Sequence, residues 1–191
     1  MAKGDVHALA PVSDARLGCG ALPVPAVDAT LWLAWTATGL SNVSWVLGAD
    51  QPQPADVPAH LPVAPIPQIY EQPLRDYFAG KPLDPAQLPV DLHGTDFQCR
   101  VWQALRRIAR GSVRSYVGVA TDVGAPRGMR AVGMANAKNP LALVVPCHRV
   151  IEKDMGLGGY TPGLHIKRYL LALEGVRVDN ERVQPGQLTL I

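Results

Sequence analysis

An α+β fold is predicted, a small α/β half with an antiparallel sheet followed by an all-α half, and three features of the chain predict it. Two β-type runs at 30–36 (TLWLAWT) and 42–47 (NVSWVL) flank a short segment containing Gly39, the signature of a hairpin. From Gly94 onward the apolar residues recur at helical spacing instead, first at Phe97, Val101, Leu105 and Ile108. The charge divides at the same place: residues 1–94 hold four Lys/Arg against nine Asp/Glu, and residues 95–191 hold fourteen against seven. A basic half joined to an acidic one points to a polyanion as partner of the basic half.

At 191 residues, 48% of them hydrophobic and 18% charged, the chain can build one or two cored domains. No apolar run approaches the roughly 18 residues of a membrane helix, and no basic stretch followed by a hydrophobic block opens the chain. The three cysteines, Cys19, Cys99 and Cys147, form no CxxC pair. That argues against a disulfide framework or a four-cysteine zinc site and fits a reducing cytoplasm.

Taken in order, residues 1–15 lack periodicity and read as disordered, and an edge strand is expected around 17–22. After the hairpin, residues 48–67 carry six prolines between 52 and 67 and read as a surface loop. Residues 68–79 space Ile69, Leu74, Tyr77 and Phe78 along a short amphipathic helix, which Pro73 would kink or delay and Gly80 would end. Residues 83–92 read as extended. The tryptophans and other aromatics of this half are assigned to core packing. The division expected is 1–93, 94–176 and a C-terminal tail at 177–191.

In the second half, Thr95 or Asp96 can cap the first helix, with Cys99 as a bystander. Residues 117–123 form a short helix stopped by Gly124, and Pro126 suits the first turn of the next, 127–138. Two short helices joined by a glycine-containing turn are a helix-turn-helix signature. Second helices of this kind usually carry long polar side chains that read bases in the major groove. This one (RGMRAVGMANA) is small and smooth, which suits a close approach in the narrow minor groove.

The stretch that carries chemistry is LALVVPCHRVI at 141–151. Its apolar run reads as a short buried strand ending at Pro146, with Cys147 delivered just beyond it. A lone cysteine after such a run is usually a small buried hydrophobe. His148, Arg149 and Glu152 nearby argue for a site reaching solvent, where an imidazole or cation lowers a thiol's pKa. Neighbours on an extended chain face opposite ways, so Cys147 and His148 can cooperate only through a turn or a bridging water.

Pro146-Cys147-His148-Arg149-Val150, preceded by Asn139-Pro140 and by Arg130-Ala131-Val132-Gly133, resembles the active-site signature of the O6-alkylguanine-DNA alkyltransferases, the methylated-DNA–protein-cysteine methyltransferases. The resemblance runs from about Gly94 to Glu174. It implies a first half like a ribonuclease-H fragment and a second like a winged helix-turn-helix. The implied function is direct DNA repair: one irreversible transfer of the alkyl group of O6-alkylguanine, and of O4-alkylthymine, to Cys147 after the base is flipped from the duplex.

The resemblance also implies the roles. Cys147 is the nucleophile, His148 the base acting through a bridging water, and Glu174 the carboxylate orienting the imidazole. Tyr116 donates a proton to guanine N3, and Asn139 ties the recognition helix to the cysteine turn. Arg130 fills the gap left by the flipped base, while Arg127, Ala131, Gly133, Ser115 and Tyr116 contact DNA. Val150, Tyr160, Thr161 and Met134 belong to the substrate pocket. No metal, nucleotide or S-adenosylmethionine is required, and the protein would act as a monomer, cooperatively along double-stranded DNA, away from membranes.

Pro162 stands where the family often has glycine, Ala142 where some relatives have proline, and Gly128-Met129 where small alanines are usual. Cys19 with His7 or His60 is too sparse for the zinc site of some relatives. Two other readings compete with this one. A cysteine hydrolase would share Cys147 and His148 but needs no recognition helix. A helix-turn-helix regulator or lesion sensor would not need the cysteine.

Overall fold

The computed structural model describes residues 17–48 and 52–184. The expected disorder of residues 1–15, and His7, lie outside them.

The predicted hairpin is present and the edge strand completes a sheet. Strands β1 (Gly18–Val24), β2 (Ala29–Trp35) and β3 (Leu40–Leu47) pair antiparallel in that order. The β2–β3 register slips at Ala34/Trp35, where the ladder runs into the Thr36–Gly39 turn. Gly39 is required there by space: a Cβ on it would stand 2.6–2.7 Å from the backbone of Val90. The proline-rich segment is more than a surface loop, because Cys19 N–H donates to Pro62 and Ala64 N–H to Cys19, adding a short parallel contact to the β1 edge. Val57 and Ile66 are buried beneath it.

Helix α1 (Gln68–Phe78) starts without delay and carries Pro73 inside, burying Tyr70, Leu74 and Tyr77. Residues 83–92 are not extended throughout. Asp84 caps a 3-10 turn, Pro85–Gln87, by accepting from Ala86 N–H, and only afterwards does Val90 bridge to Leu40. Helix α2 (Asp96–Arg106) opens on a reciprocal cap: Thr95 Oγ1 accepts from Gln98 N–H at 3.3 Å, and Gln98 Oε1 accepts from Thr95 N–H at 2.9 Å. Its buried face is Val101, Trp102, Ala104 and Leu105.

The second half is not all-α. Strand β4 (Arg114–Ser115) leads into α3 (Tyr116–Asp122), and α4 (Met129–Ala137) follows a turn with Gly124 at φ +73°. Strand β5 (Val150–Ile151) pairs parallel with β4, helix α5 (Leu164–Leu173) comes next, and β6 (Val178–Asp179) and β7 (Arg182–Val183) form a last hairpin. These two-residue pairings are too short to leave an apolar alternation in the sequence. Residues 177–184 are held rather than trailing: Val183 is buried with Val113, Ile151 and Leu171, and its N–H donates to Met155.

The expected strand at 141–145 is instead a tight buried turn. Leu143 has φ +77°, and Val145 N–H donates to Leu141 at 2.7 Å. The run is apolar because it is enclosed on all sides, not because it lies in a sheet; it meets β3 only at Val43, whose N–H donates to Pro140 and whose carbonyl accepts from Ala142 N–H. One hydrophobic core runs through both halves, from Leu31, Leu33 and Trp35 to Leu105, Val144, Ile166 and Leu170. That core continues across residue 94, where the apolar pattern of the sequence changes. Among the described residues no helix is long and apolar enough to cross a membrane.

Replacing Thr95 by alanine removes the α2 cap, and urea denaturation should show a loss of about 1 kcal/mol that Thr95→Ser largely restores. Equal stability of the alanine variant would mean that packing alone holds this helix end.

Candidate active site

Pro146 sets the geometry. Its φ of −78° and ψ of 64° make an inverse γ-turn closed by Cys147 N–H donating to Val145 at 2.7 Å. The chain then enters a 3-10 turn, Cys147–Arg149. With three residues per turn, the cysteine and histidine no longer face opposite ways as they would on a strand.

Asn139, just past α4, secures this turn from the side. Its Oδ1 accepts from Leu141 N–H at 3.0 Å; its Nδ2 donates to Val145 at 2.8 Å and reaches Cys147 Sγ at 3.1 Å. One side chain thus connects the end of α4 to the thiol. Cys147 is 5% exposed. Burial pushes its pKa up, while the Asn139 amide and the Lys167 ammonium pull it down.

His148 and Arg149 are fully buried, contrary to the expectation that polar neighbours mark a solvent-reaching turn. They are affordable inside because Glu174, at the C-terminal end of α5, gathers them. His148 Nε2 lies 3.0 Å from Glu174 Oε1, which also accepts from Arg149 Nη2 at 2.8 Å and from Tyr77 Oη at 2.8 Å. Arg149 Nε donates to Oε2 at 2.9 Å, and its remaining donors reach Asp84 at 2.9 Å and the Ile108 carbonyl at 2.7 Å. Burial would raise Glu174, but His148 and Arg149 hold its carboxyl well below the usual range. Burial keeps His148 below the ordinary imidazole range despite the carboxylate. An ionised carboxylate only accepts, so Nε2 carries the proton and Nδ1 is the basic atom. That Nδ1 is buried without a partner among the described residues.

A cavity of about 570 Å³ opens beside the thiol, within the range of small-ligand sites. Cys147, Tyr116, Asn139, Gly133, Tyr160, Thr161, Pro162 and Ala142 line it, and so do Asn136 and Ala137 of α4. Tyr116 Oη lies 3.5 Å from Asn136 Nδ2, and burial raises its pKa, which keeps it a proton donor. Two residues expected in the pocket stand apart from its lining: Val150 is fully buried and Met134 is 64% exposed. Arg127, Arg130 and Ala131 are exposed, and neither arginine makes an ion pair among the described residues. The Ser115 hydroxyl caps α3, accepting from Gly118 N–H at 3.0 Å.

Several participants had not been expected. Lys167 is fully buried, donating to the Val150 carbonyl at 2.6 Å and to that of Leu157, and burial brings its pKa down to about 8. The visible signal was a lysine inside the α5 apolar stripe with Ile166, Leu170 and Leu171. Tyr77, Asp84 and Trp45 come from the first half. Trp45 lines the cavity, so the assignment of that half's aromatics to packing alone is corrected.

Comparison with known proteins identifies the family and solved relatives of similar fold. Residues 96–176 match the family described as 6-O-methylguanine DNA methyltransferase, DNA binding domain. The methylated-DNA–protein-cysteine methyltransferase of Mycobacterium bovis is 50% identical over 117 residues, covering 61% of this chain and 67% of the relative. This chain belongs to that family. The crystal structure of Mycobacterium tuberculosis OGT in complex with DNA superposes with a TM-score of 0.71 at 39% identity, covering 82% of this chain and 92% of the other. The O6-methylguanine-DNA methyltransferase of Pyrococcus kodakaraensis gives 0.63 at 26% identity, covering 84% and 100%. These methyltransferases share the mixed α/β build with a small antiparallel sheet.

Glu174→Gln should leave Arg149 under-compensated and cost on the order of 3–5 kcal/mol in denaturant unfolding. The sign in pH follows from the lowered carboxyl: the unfolded chain takes up the proton first, so the Glu174 contribution is complete above about pH 4.3 and falls away as pH drops below it. The glutamine variant should flatten that acid limb. An unchanged limb would show that the charge of Glu174 does not support the fold.

Proposed function

We propose that the chain repairs alkylated DNA directly, moving the alkyl group of O6-alkylguanine, and of O4-alkylthymine, onto Cys147 once per molecule. The observation that carries this reading is the arrangement at the cavity wall: a thiol on a 3-10 turn, next to a neutral imidazole whose other nitrogen is bound by a buried carboxylate. The first half acts as the ribonuclease-H-like fragment of the family and the second as its winged helix-turn-helix.

In this reading α4 enters the minor groove, where its small residues Ala131 and Gly133 allow close approach, and Arg127 and Ser115 meet the backbone. Arg130 takes the place of the extruded nucleotide, offsetting part of an unstacking cost of roughly a few kcal/mol. The base enters the cavity past Tyr160 and Thr161, with Met134 at its outer edge and Val150 behind it.

His148 Nδ1 takes the thiol proton through a bridging water, and the thiolate attacks the alkyl carbon in line. The S–C bond forms as the C–O6 bond breaks, and the electron pair passes to the guanine. Tyr116 protonates N3, so the proton lost by sulfur is, in net, the one guanine gains. Glu174 stabilises the imidazolium and Asn139 holds the sulfur. A thioether has no facile route to hydrolysis, hence one turnover. The protein acts in the cytoplasm as a monomer, cooperatively along double-stranded DNA.

Intact-mass analysis after mixing with a duplex containing O6-methylguanine should show one methyl in place of one hydrogen on Cys147, at one per molecule, and none in Cys147→Ser. Repeated turnover without an adduct would replace this reading with a hydrolase. Arg130→Ala should slow transfer from duplex far more than transfer from the free base; equal slowing would remove the base-replacing role of Arg130.

A further inference from the structure

The end of α4 carries two carboxamides about one turn apart, and the mechanism above uses only one of them. Asn139 Nδ2 reaches the sulfur of Cys147 at 3.1 Å, while Asn136 Nδ2 lies 3.5 Å from the hydroxyl oxygen of Tyr116 at the start of α3. The two are tied to each other, since Asn139 N–H donates to the Asn136 carbonyl at 3.2 Å. Asn136 is 8% exposed and lines the cavity together with Tyr116 and Cys147. In the proposed transfer the sulfur loses a proton and the phenol gives one. Each faces an amide donor from the same helix end.

Packing does not account for an asparagine here. Its Oδ1 is buried without a donor among the described residues, and a buried acceptor left unpaired costs stability that an apolar side chain would not. Its Nδ2, by contrast, meets the phenol that protonates the base. Since the amide donates, Oη accepts through a lone pair and keeps its own proton for a second partner. Burial raises the Tyr116 pKa and the Asn136 amide works against it, as a donor does when it binds phenolate better than phenol. At 3.5 Å the contact is long in the resting protein, and such contacts tighten as charge develops on the acceptor.

We propose that Asn136 is a positioning residue for alkyl transfer: its Nδ2–H holds the Tyr116 oxygen so that the phenol's own proton faces the base, and steadies that oxygen once the proton has left. This rests on the alkyl-transfer reading above. As the S–C bond forms and the C–O6 bond breaks, the proton on Tyr116 Oη passes to guanine N3. The phenolate left behind accepts from Asn136. Oη then recovers, through water, the proton that His148 took from sulfur, so the protein ends one proton short at the thioether alone. Asn139 and Asn136 act as a pair, one on the attacking atom and the other on the donor to the leaving group.

The test compares single-turnover rates at saturating protein on two duplexes. One carries O6-methylguanine and the other O6-methyl-3-deazaguanine, in which C–H replaces N3 and Tyr116 has nothing to protonate. Asn136→Leu should slow transfer from O6-methylguanine about tenfold, the lower end of the worth of a hydrogen bond to a charged group, and leave the 3-deaza rate within about twofold. On a Tyr116→Phe background the same substitution should change neither rate. Equal slowing of both substrates would make Asn136 a structural residue only, and no slowing of either would remove it from the reaction; each outcome overturns the proposal, as does a further loss on the Tyr116→Phe background. In the unmodified protein, a 3-deaza rate equal to that for O6-methylguanine overturns it without recourse to any variant. Intact mass is read alongside. Methylated Cys147 with any of these results defeats this proposal alone, whereas no methyl on Cys147 defeats the alkyl-transfer reading and this one together.

Discussion

Glu174 accepts hydrogen bonds from Tyr77 on α1, from His148 and from Arg149, and through Arg149 it is joined to Asp84. The rest of the site hangs on this buried cluster. Carboxylate and guanidinium each lose hydration on burial, and they are tolerated because nearly every donor of the arginine finds an oxygen. Since Glu174 ends α5 while His148 and Arg149 lie on the thiol's own turn, the pair fixes that turn against the last long helix. Tyr77 and Asp84 bring in the first half, so the imidazole is oriented by residues on both sides of the shared core.

Around that anchor the backbone does the remaining positioning. The γ-turn at Pro146 swings the chain out of the apolar run, and Asn139 fastens the result to the end of α4. Lys167 holds the carbonyls of Val150 and Leu157 from beneath. The thiol consequently sits among fixed dipoles and close to a cation while remaining buried. Burial favours the protonated thiol, and in the proposed transfer its proton would have to leave through the imidazole.

Much of this was legible in the chain, and the rest was not for identifiable reasons. The sheet, α2 with its cap and the two helices around Gly124 follow from local pattern, and local interactions hold them. Cys147 and His148 stood out just beyond an apolar run that ends at Pro146, whereas Asn139 and Glu174 rested on family resemblance, because nothing local distinguishes a helix-ending carboxylate from a surface one. The run at 141–145 was misread because burial on all sides and membership of a sheet leave the same apolar trace. Tyr77, Asp84 and Trp45 were missed because their part depends on how the halves dock, which no short window of sequence records.

The order in which these residues occur along the chain has a consequence for folding. Tyr77 and Glu174 are 97 positions apart, and Asp84 and Arg149 are 65 apart. During synthesis from the N-terminus the sheet and α1 are complete well before their charged counterparts exist, and the apolar faces meant for α2 and α5 have nothing to close on. Such long-range closure is slow, and it is rewarded only when the last helix arrives. The nascent first half is therefore the stage most exposed to aggregation, and completion of α5 is the event that ends the exposure.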